Sequence, residues 1–288
     1  MCGRKGPESK EHVIGRWASR ALETDSHQVV SRHEGQFIRQ DTGLQITLKG
    51  VCAACNSGWM SHLERTVGPW LTPAVLGEQI ALATPQQRIV AFWATKTALL
   101  YELAVRKVRG PMPFPPRALV WLYSHRAERR PPPGTQIWLG RADPQHDHDP
   151  ERATISSSIS SSLRGGPDTA DDTGVHYLMT FRVGWLLVQV SGQDFSESGG
   201  GIRGRGLSFV QPPAEIEPFQ VQIWPDPPPV VIWPPASSLL NSDVATFAAW
   251  AQHLSCFLIR DAGGERAVFA DSALSAGRAR FGWSKVTT

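Results

Sequence analysis

What this chain has little of narrows its character first. Only four cysteines, Cys2, Cys52, Cys55 and Cys256, occur in 288 residues. That is too few, and too unevenly spread, for a disulfide scaffold, so a reducing cytoplasm is the expected setting. Long apolar runs are missing. The most hydrophobic windows, Phe181 to Val190 and Val230 to Trp233, fall far short of the roughly 20 residues that a spanning helix needs, so no membrane association is expected. The opening residues are polar and include Glu8 and Glu11, with no apolar core ahead of a cleavage site, so no signal peptide is read there. Charge of one sign is scarce as well: 29 Lys+Arg against 26 Asp+Glu leave a net +3. Such a balance permits nucleic-acid binding without arguing for it. No repeat of fixed period is present. The 41% hydrophobic content is ample for a core, in one large domain or two modest ones.

The chain changes texture along its length. Ala18 to Asp25 reads as a helical turn or two. Gln36 to Gln40 and Leu44 to Leu48 alternate polar and apolar around Asp41-Thr42-Gly43, which predicts a β-hairpin. From Asn56 the spacing turns helical, with Trp59, Met60, Leu63 and Val67 on one side until Gly68-Pro69, where a break is expected. Thr84-Pro85 opens the clearest helix, apolar over a broad arc from Ile89 to Leu103 and closed by Gly110-Pro111, with Thr84 as N-cap. Ala118 to Ser124 is a strand or a short helix. Strands are expected at Gln136 to Leu139, Ala153 to Leu163, on both sides of a Gly184-Trp185 turn within Val175 to Ser191, at Phe219 to Trp224 and at Val230 to Trp233. A closing amphipathic helix is read at Asp243 to Leu254. Fold class is therefore α+β.

The most informative stretch is Cys52-Ala53-Ala54-Cys55-Asn56-Ser57-Gly58-Trp59-Met60. Two thiols at this spacing can aim both sulfurs at one ion, which is half of a tetrahedral zinc site. The remaining ligands must come from Cys2, near the N-terminus, or from far downstream. Asn56, at or near a helix start, can cap that helix or offer its amide oxygen to a metal. Upstream, Glu11-His12 pairs a carboxylate with an imidazole that is neutral, and hence available as a base, near neutral pH.

Taken in order, Cys2-Gly3, Glu11-His12, the alternating Gln36 to Leu48 and Cys52 to Asn56 resemble the HNH or ββα-metal (treble-clef) endonucleases. More narrowly they resemble the junction-resolving endonuclease VII type, whose second knuckle reads C-x-x-C-N. The resemblance covers about the first quarter of the chain. It implies a small zinc-stabilised module in residues 1–80; the larger α+β region, residues 81–288, has no assigned role and would then choose substrate or partner. It further implies a structural zinc on Cys2, Cys52 and Cys55, a catalytic Mg2+ or Mn2+ on Glu11 and Asn56, and His12 as general base. The activity implied is metal-dependent hydrolysis of DNA phosphodiester bonds; the sequence leaves open whether RNA is also cut. The family's opening C-x-x-C is incomplete here. Cys2-Gly3 matches its second cysteine, which would put the first just upstream of Met1; His33 is a stray candidate for the missing zinc ligand. Glu11 stands where relatives often carry Asp, and Gln45 to Gly50 contains no middle Asn.

Other readings stand beside this one. The module can be a non-catalytic zinc knuckle that binds nucleic acid or protein, or the C-terminal region can hold the activity. His12 as a solvated loop residue, Asn56 as a plain cap and Cys2 as an incidental thiol are the bland alternatives, and Cys256 reads as core. Asp143, His146, Asp147, His148 and Asp149 form a rival metal cluster by residue type. The serines from Ser156 to Ser162 alternate as a strand and lack a nucleophile context. Arg126, Arg129 and Arg130, with Arg203 and Arg205, are candidates for phosphate contacts outside the nuclease-like part. The eleven tryptophans read as packing before base stacking.

Overall fold

The computed structural model of the chain describes residues 7–22, 28–33, 36–42, 44, 46–109, 116–143, 153–161, 175–194, 207–209, 220–240, 257–261 and 264–268. In chain order these begin with strand β1 (Glu8–His12), helix α1 (Arg16–Ala21) and strands β2 (Gln28–His33), β3 (Gln36–Thr42) and β4 (Thr47–Cys52). A short helical turn α2 (Ala53–Cys55) continues through a wide turn at Asn56–Met60 into α3 (Ser61–Val75), followed by β5 (Ile80–Ala83), the long α4 (Thr84–Arg109) and α5 (Pro116–Ser124). Strands β6 (Gln136–Asp143), β7 (Ala153–Ser161), β8 (Val175–Val183), β9 (Leu186–Asp194), β10 (Leu207–Phe209), β11 (Gln220–Trp224), β12 (Val230–Trp233), β13 (Leu239–Leu240), β14 (Phe257–Asp261) and β15 (Gly264–Val268) complete them. The protein is mixed α+β. Among the described residues no helix is long and apolar enough to cross a membrane. The helix expected at Asp243 to Leu254 and the glycine-rich run before Leu207 lie outside the described residues.

An eight-stranded sheet runs in the order β11-β6-β9-β8-β7-β2-β3, with β13 pairing with β6. Its pairings are antiparallel except β2 with β7 and β13 with β6. One face presents the aligned row Leu139, Val188 and Phe181, all with no exposed surface. Helix α4 packs on this sheet, where the Trp93 ring meets Phe181 edge-on at 5.8 Å. On another side α4 meets β4 and α3. Enclosed in this way, α4 is buried all round from Val90 to Ala94 and again from Ala98 to Tyr101, the condition that tolerates an apolar surface on every side of a helix. The hydrophobic core is continuous across residue 80, running from Val13 to Trp233.

Two expectations fail on partnership. The hairpin about Asp41-Thr42-Gly43 does not form: β3 pairs with β2, and β4 pairs antiparallel with β1. Alternation marks a strand but carries no information about its neighbour, and here burial of Leu48 and Val51 beside α4 decides it. Nor does Gly68-Pro69 end the helix, since α3 runs on through Pro69 and Pro73 to Val75. Each proline removes a backbone donor. The helix persists because Leu63, Val67, Leu71, Ala74 and Val75 are fully buried, and each large side chain so buried contributes about 1.5–3 kcal/mol. Gly68 belongs to that packing, because a Cβ there would come within 2.9 Å of Trp17 Cγ.

The Gly184-Trp185 turn forms as expected and joins the sheet to the N-terminal part. Gly184 has φ +58, and a Cβ on it would come within 2.1 Å of the Val75 carbonyl oxygen. Only glycine allows that approach. The Trp185 N–H then donates to the same Val75 oxygen at 3.0 Å. Helix α4 starts at Thr84 as expected. The Thr84 hydroxyl, however, donates to the Pro228 and Pro229 carbonyls at 3.4 and 3.3 Å, while Gln86 Oε1 accepts from Ala83 N at 2.9 Å.

Candidate functional site

Strands β1 and β4 lie side by side with Glu8 opposite Cys52, Glu11 opposite Leu48 and His12 opposite Thr47. The register slips between Ser9 and Lys10. The extra residue is Gly50, whose φ of +109 a side chain would resist. This bulge turns β4 just ahead of Cys52, so that Cys52 ends the strand and Cys55 ends the first helical turn. Neither thiol is in a disulfide. Across the turn, the Ala53 N–H donates to the Pro7 carbonyl at 3.0 Å, which holds Pro7, just ahead of β1, against the knuckle. Cys2 lies outside the described residues. Among the described residues no three His, Cys, Asp or Glu side chains gather as a metal-binding group.

Asn56 does not cap the helix, which starts at Ala53 with Cys52 in the cap position and no side-chain cap bond. Its backbone is already helical. The amide nitrogen instead donates to Ser9 Oγ at 2.9 Å and to the Lys10 carbonyl at 3.0 Å. Ser9 Oγ spends its own proton on the Val51 carbonyl at 3.0 Å, so both partners of Asn56 are acceptors and the orientation of the amide follows. With both N–H groups committed to β1, Oδ1 is the atom left for a ligand. An amide oxygen suits a hard divalent cation, and the two thiols suit zinc. His12, half-buried, is at the end of the same strand.

Glu11 is placed differently from a plain metal ligand. It is buried, and its Oε1 lies 3.8 Å from Lys96 Nζ, with side-chain exposures of 7% and 0%. Lys96 also donates to Glu64 Oε1. Glu64 further accepts from Trp93 Nε1 at 3.0 and 3.1 Å and from Trp17 Nε1 at 2.7 Å. The cluster thus draws on β1, α1, α3 and α4. Gly15 makes room for it, since a Cβ there would fall 2.0 Å from Glu64 Oε2. Burial raises the Glu11 pKa above its ordinary value; the Lys96 ammonium opposes that rise and the Glu64 carboxylate adds to it. The ammonium occupies the electrostatic role that a divalent ion would take beside Glu11.

Lys96 and Glu64 escaped the reading of the sequence, although a signal was present. Lys96 sits between Trp93 and Leu99 on an apolar helix, and Glu64 follows Leu63 on the buried side of α3. A charge at core spacing needs a partner, but the sequence does not name it.

The other candidates separate clearly. Asp143 is held by Arg141 Nε and Ser238 Oγ, both donating at 2.7 Å; His146, Asp147, His148 and Asp149 lie outside the described residues. So do Arg203, Arg205 and Cys256. Arg126 lies 4.1 Å from the centre of the Tyr123 ring and donates to the Tyr123 carbonyl. Arg130 lies 5.8 Å from the Trp121 ring, which stacks on His125 at 3.8 Å. Arg129 lies 5.9 Å from the Phe92 ring.

Set against known proteins, the chain matches no family model, and no curated protein and no solved structure matches it. What the fold and site define is an α+β protein with a strand pair running into a C-x-x-C-N helix start.

Proposed function

We propose that this protein is a metal-dependent endonuclease that hydrolyses DNA phosphodiester bonds at a site built on β1, β4 and the start of α3. The observation that carries the reading is the Asn56 amide. Its nitrogen is bound to the strand bearing Glu11-His12, so its Oδ1 is the polar atom presented beside that strand, directly after a C-x-x-C pair. A strand pair followed by a helix, with His on the first strand, is the arrangement expected of a ββα-metal site.

In this reading Cys52 and Cys55, with Cys2, hold a structural zinc that stabilises the knuckle and takes no part in the reaction. The Ala53 to Pro7 hydrogen bond supports it, because it holds Pro7, five residues after Cys2, against the pair. Asn56 Oδ1 would contribute to holding Mg2+ or Mn2+, which when bound neutralises charge on the scissile phosphate. His12 accepts a proton from the attacking water. For Glu11 to act as a second metal ligand it must leave Lys96, so we assign it to holding β1 against α4. That fixes the backbone from which His12 projects.

One observation favours a second reading, a non-catalytic zinc knuckle that binds nucleic acid: the carboxylate expected on the metal is occupied by Lys96. The test is a nicking assay on supercoiled and branched DNA with Mg2+ or Mn2+, comparing the full chain with His12→Ala and measuring zinc in both. Metal-dependent cutting that disappears in the variant with zinc retained supports the nuclease. A folded, zinc-loaded protein that cuts neither substrate supports the binding module.

A further inference from the structure

On the exposed side of the β1 and β4 pair the register sets two lysines face to face. Lys10 lies directly opposite Lys49, and both are exposed. Residues paired in this way hold their Cβ atoms about 4.5–5.5 Å apart, and like charges there destabilise a strand pair. Among the described residues neither ammonium forms an ion pair, so within them no carboxylate offsets the repulsion. Glu8, two residues before Lys10, lies beyond the lysines at the knuckle end, opposite Cys52.

The surroundings of the pair are those of the site described above. Strand alternation puts Lys10 on the same side of β1 as His12, and Lys49 on the same side of β4 as Thr47, the partner of His12. Glu11 and Leu48 are buried on the opposite side. The Lys10 carbonyl accepts from the Asn56 amide at 3.0 Å, so the lysine-bearing strand and the helix start adjoin. There the chain makes its wide turn, in which Gly58 departs from helical geometry with φ −88 and ψ −113. A Cβ on Gly58 would meet nothing within 4 Å, so the space beside the turn is open. Wide turns of this kind are frequent at functional sites.

We infer that Lys10 and Lys49 bind the phosphate backbone of DNA laid along this face, holding phosphates beside the one presented to His12. Each DNA strand carries a negative charge about every 3.4 Å along the helix axis, which suits two ammonium groups rooted this closely better than a single small anion does. Lysine is a point charge on a flexible stem, fitted to positioning a backbone without reading its bases. The bound phosphates supply the counter-charge that the lysine pair lacks. Both lysines are positioning residues, and no proton transfer is assigned to either. The inference deepens the proposed reading of the same site and rests on it for the choice of ligand. Lysine on an edge strand also discourages pairing with another chain, a role that would leave DNA affinity unmoved when the charge is removed.

The test uses the full chain, zinc-loaded and without added Mg2+ or Mn2+, so that cutting does not enter. Lys10→Gln, Lys49→Gln, the two together, and Lys10→Arg with Lys49→Arg are compared with wild type. Both side chains are exposed, so glutamine enters without repacking, and Tm should stay level or rise as the like charges are removed. DNA affinity is read by fluorescence anisotropy across a salt series. Each glutamine is expected to weaken binding about threefold to tenfold, alike on every sequence, and to lower the salt slope by about one. The double arginine variant should keep both. Unchanged affinity and salt slope in the double glutamine variant overturn the inference, as does a wild-type chain that binds no DNA. Weakened binding accompanied by a fall in Tm also overturns it, because it assigns the lysines to the fold. The nuclease reading is judged separately by His12→Ala in the nicking assay. A chain that binds DNA through these lysines but cuts neither substrate ends that reading and leaves this one standing; a chain that cuts, with affinity indifferent to them, does the reverse.

Discussion

Replacing Lys96 by Met is the perturbation that bears hardest on the interior of this protein. The side chain has no exposed surface, and its partners Glu11 and Glu64 are 7% and 14% exposed. Methionine has a similar length, so packing is largely kept and the charge is what disappears. Glu64 retains the Trp17 and Trp93 donors, but Glu11 loses its cation. Removing one member of a buried ion pair costs about 3–5 kcal/mol, a large part of the roughly 5–15 kcal/mol that holds a domain together. At about 2–4 °C per kcal/mol for a chain of this size, Tm falls by about 10 °C. The loss depends on pH. The folded pKa of Glu11 is already raised above 4.5, chiefly by burial, and Lys96 acts to lower it. Stability linked to a raised group is fully present below its unfolded value and is lost as pH rises through the folded value. Without Lys96 that folded value climbs further, so the variant loses stability over a wider range above pH 4.5. Urea unfolding at about pH 7.5 and about pH 5 should show the larger difference from wild type at the higher pH. Adding Glu11→Gln should restore part of the loss. A decrease under about 1 kcal/mol, equal at both pH values, would refute the argument that Lys96 compensates buried carboxylates.

Three further outcomes follow from the site. Gly15→Ala places a Cβ against Glu64 Oε2 and the Trp17 ring; it should cost about 1–3 kcal/mol in urea unfolding, with a change in tryptophan fluorescence as the indole contacts shift. Asn56→Asp exchanges the donor to Ser9 and Lys10 for a carboxylate facing two acceptors, and a loss of about 1–3 kcal/mol is expected by thermal unfolding. If Oδ1 alone mattered the aspartate would be tolerated, so an unchanged Tm counts against the assigned orientation. Cys55→Ser should abolish retention of the proposed zinc through gel filtration, measured by elemental analysis; retained stoichiometric zinc would remove Cys55 from the metal site.

The geometry also explains why α4 matters to a site to which it contributes no catalytic group. Its buried face carries Lys96 toward β1 and α3, Trp93 toward Glu64 and the sheet, and Phe92 toward Trp59 and Arg129. One helix thereby sets the positions of the strand bearing His12 and the turn bearing the arginines. Such a helix transmits a displacement rather than absorbing it, because close-packed side chains leave little room to adjust.

Much of the secondary structure was legible because it depends on local chemistry. Thr84-Pro85 started α4 and the Gly184-Trp185 turn formed, as backbone propensities near Pro and Gly require. The α+β class and most strand positions followed from periodicity. The C-x-x-C-N run fell at a strand end and helix start for the same reason. Partnership was another matter. The hairpin at Asp41-Thr42-Gly43 gave way to β1 with β4, and a helix expected to stop at Gly68-Pro69 continued because its apolar face was buried. Glu11 stood out in the sequence as a carboxylate beside His12, yet its neighbour Lys96 stands 85 positions away in the sequence and meets it only through the packing of α4 on β1. Local preferences are settled within a few residues, whereas register and buried charge pairing depend on which surfaces the whole chain brings together. Sequence therefore determined the elements and the chemistry they carry, and tertiary structure alone decided which of those groups face one another.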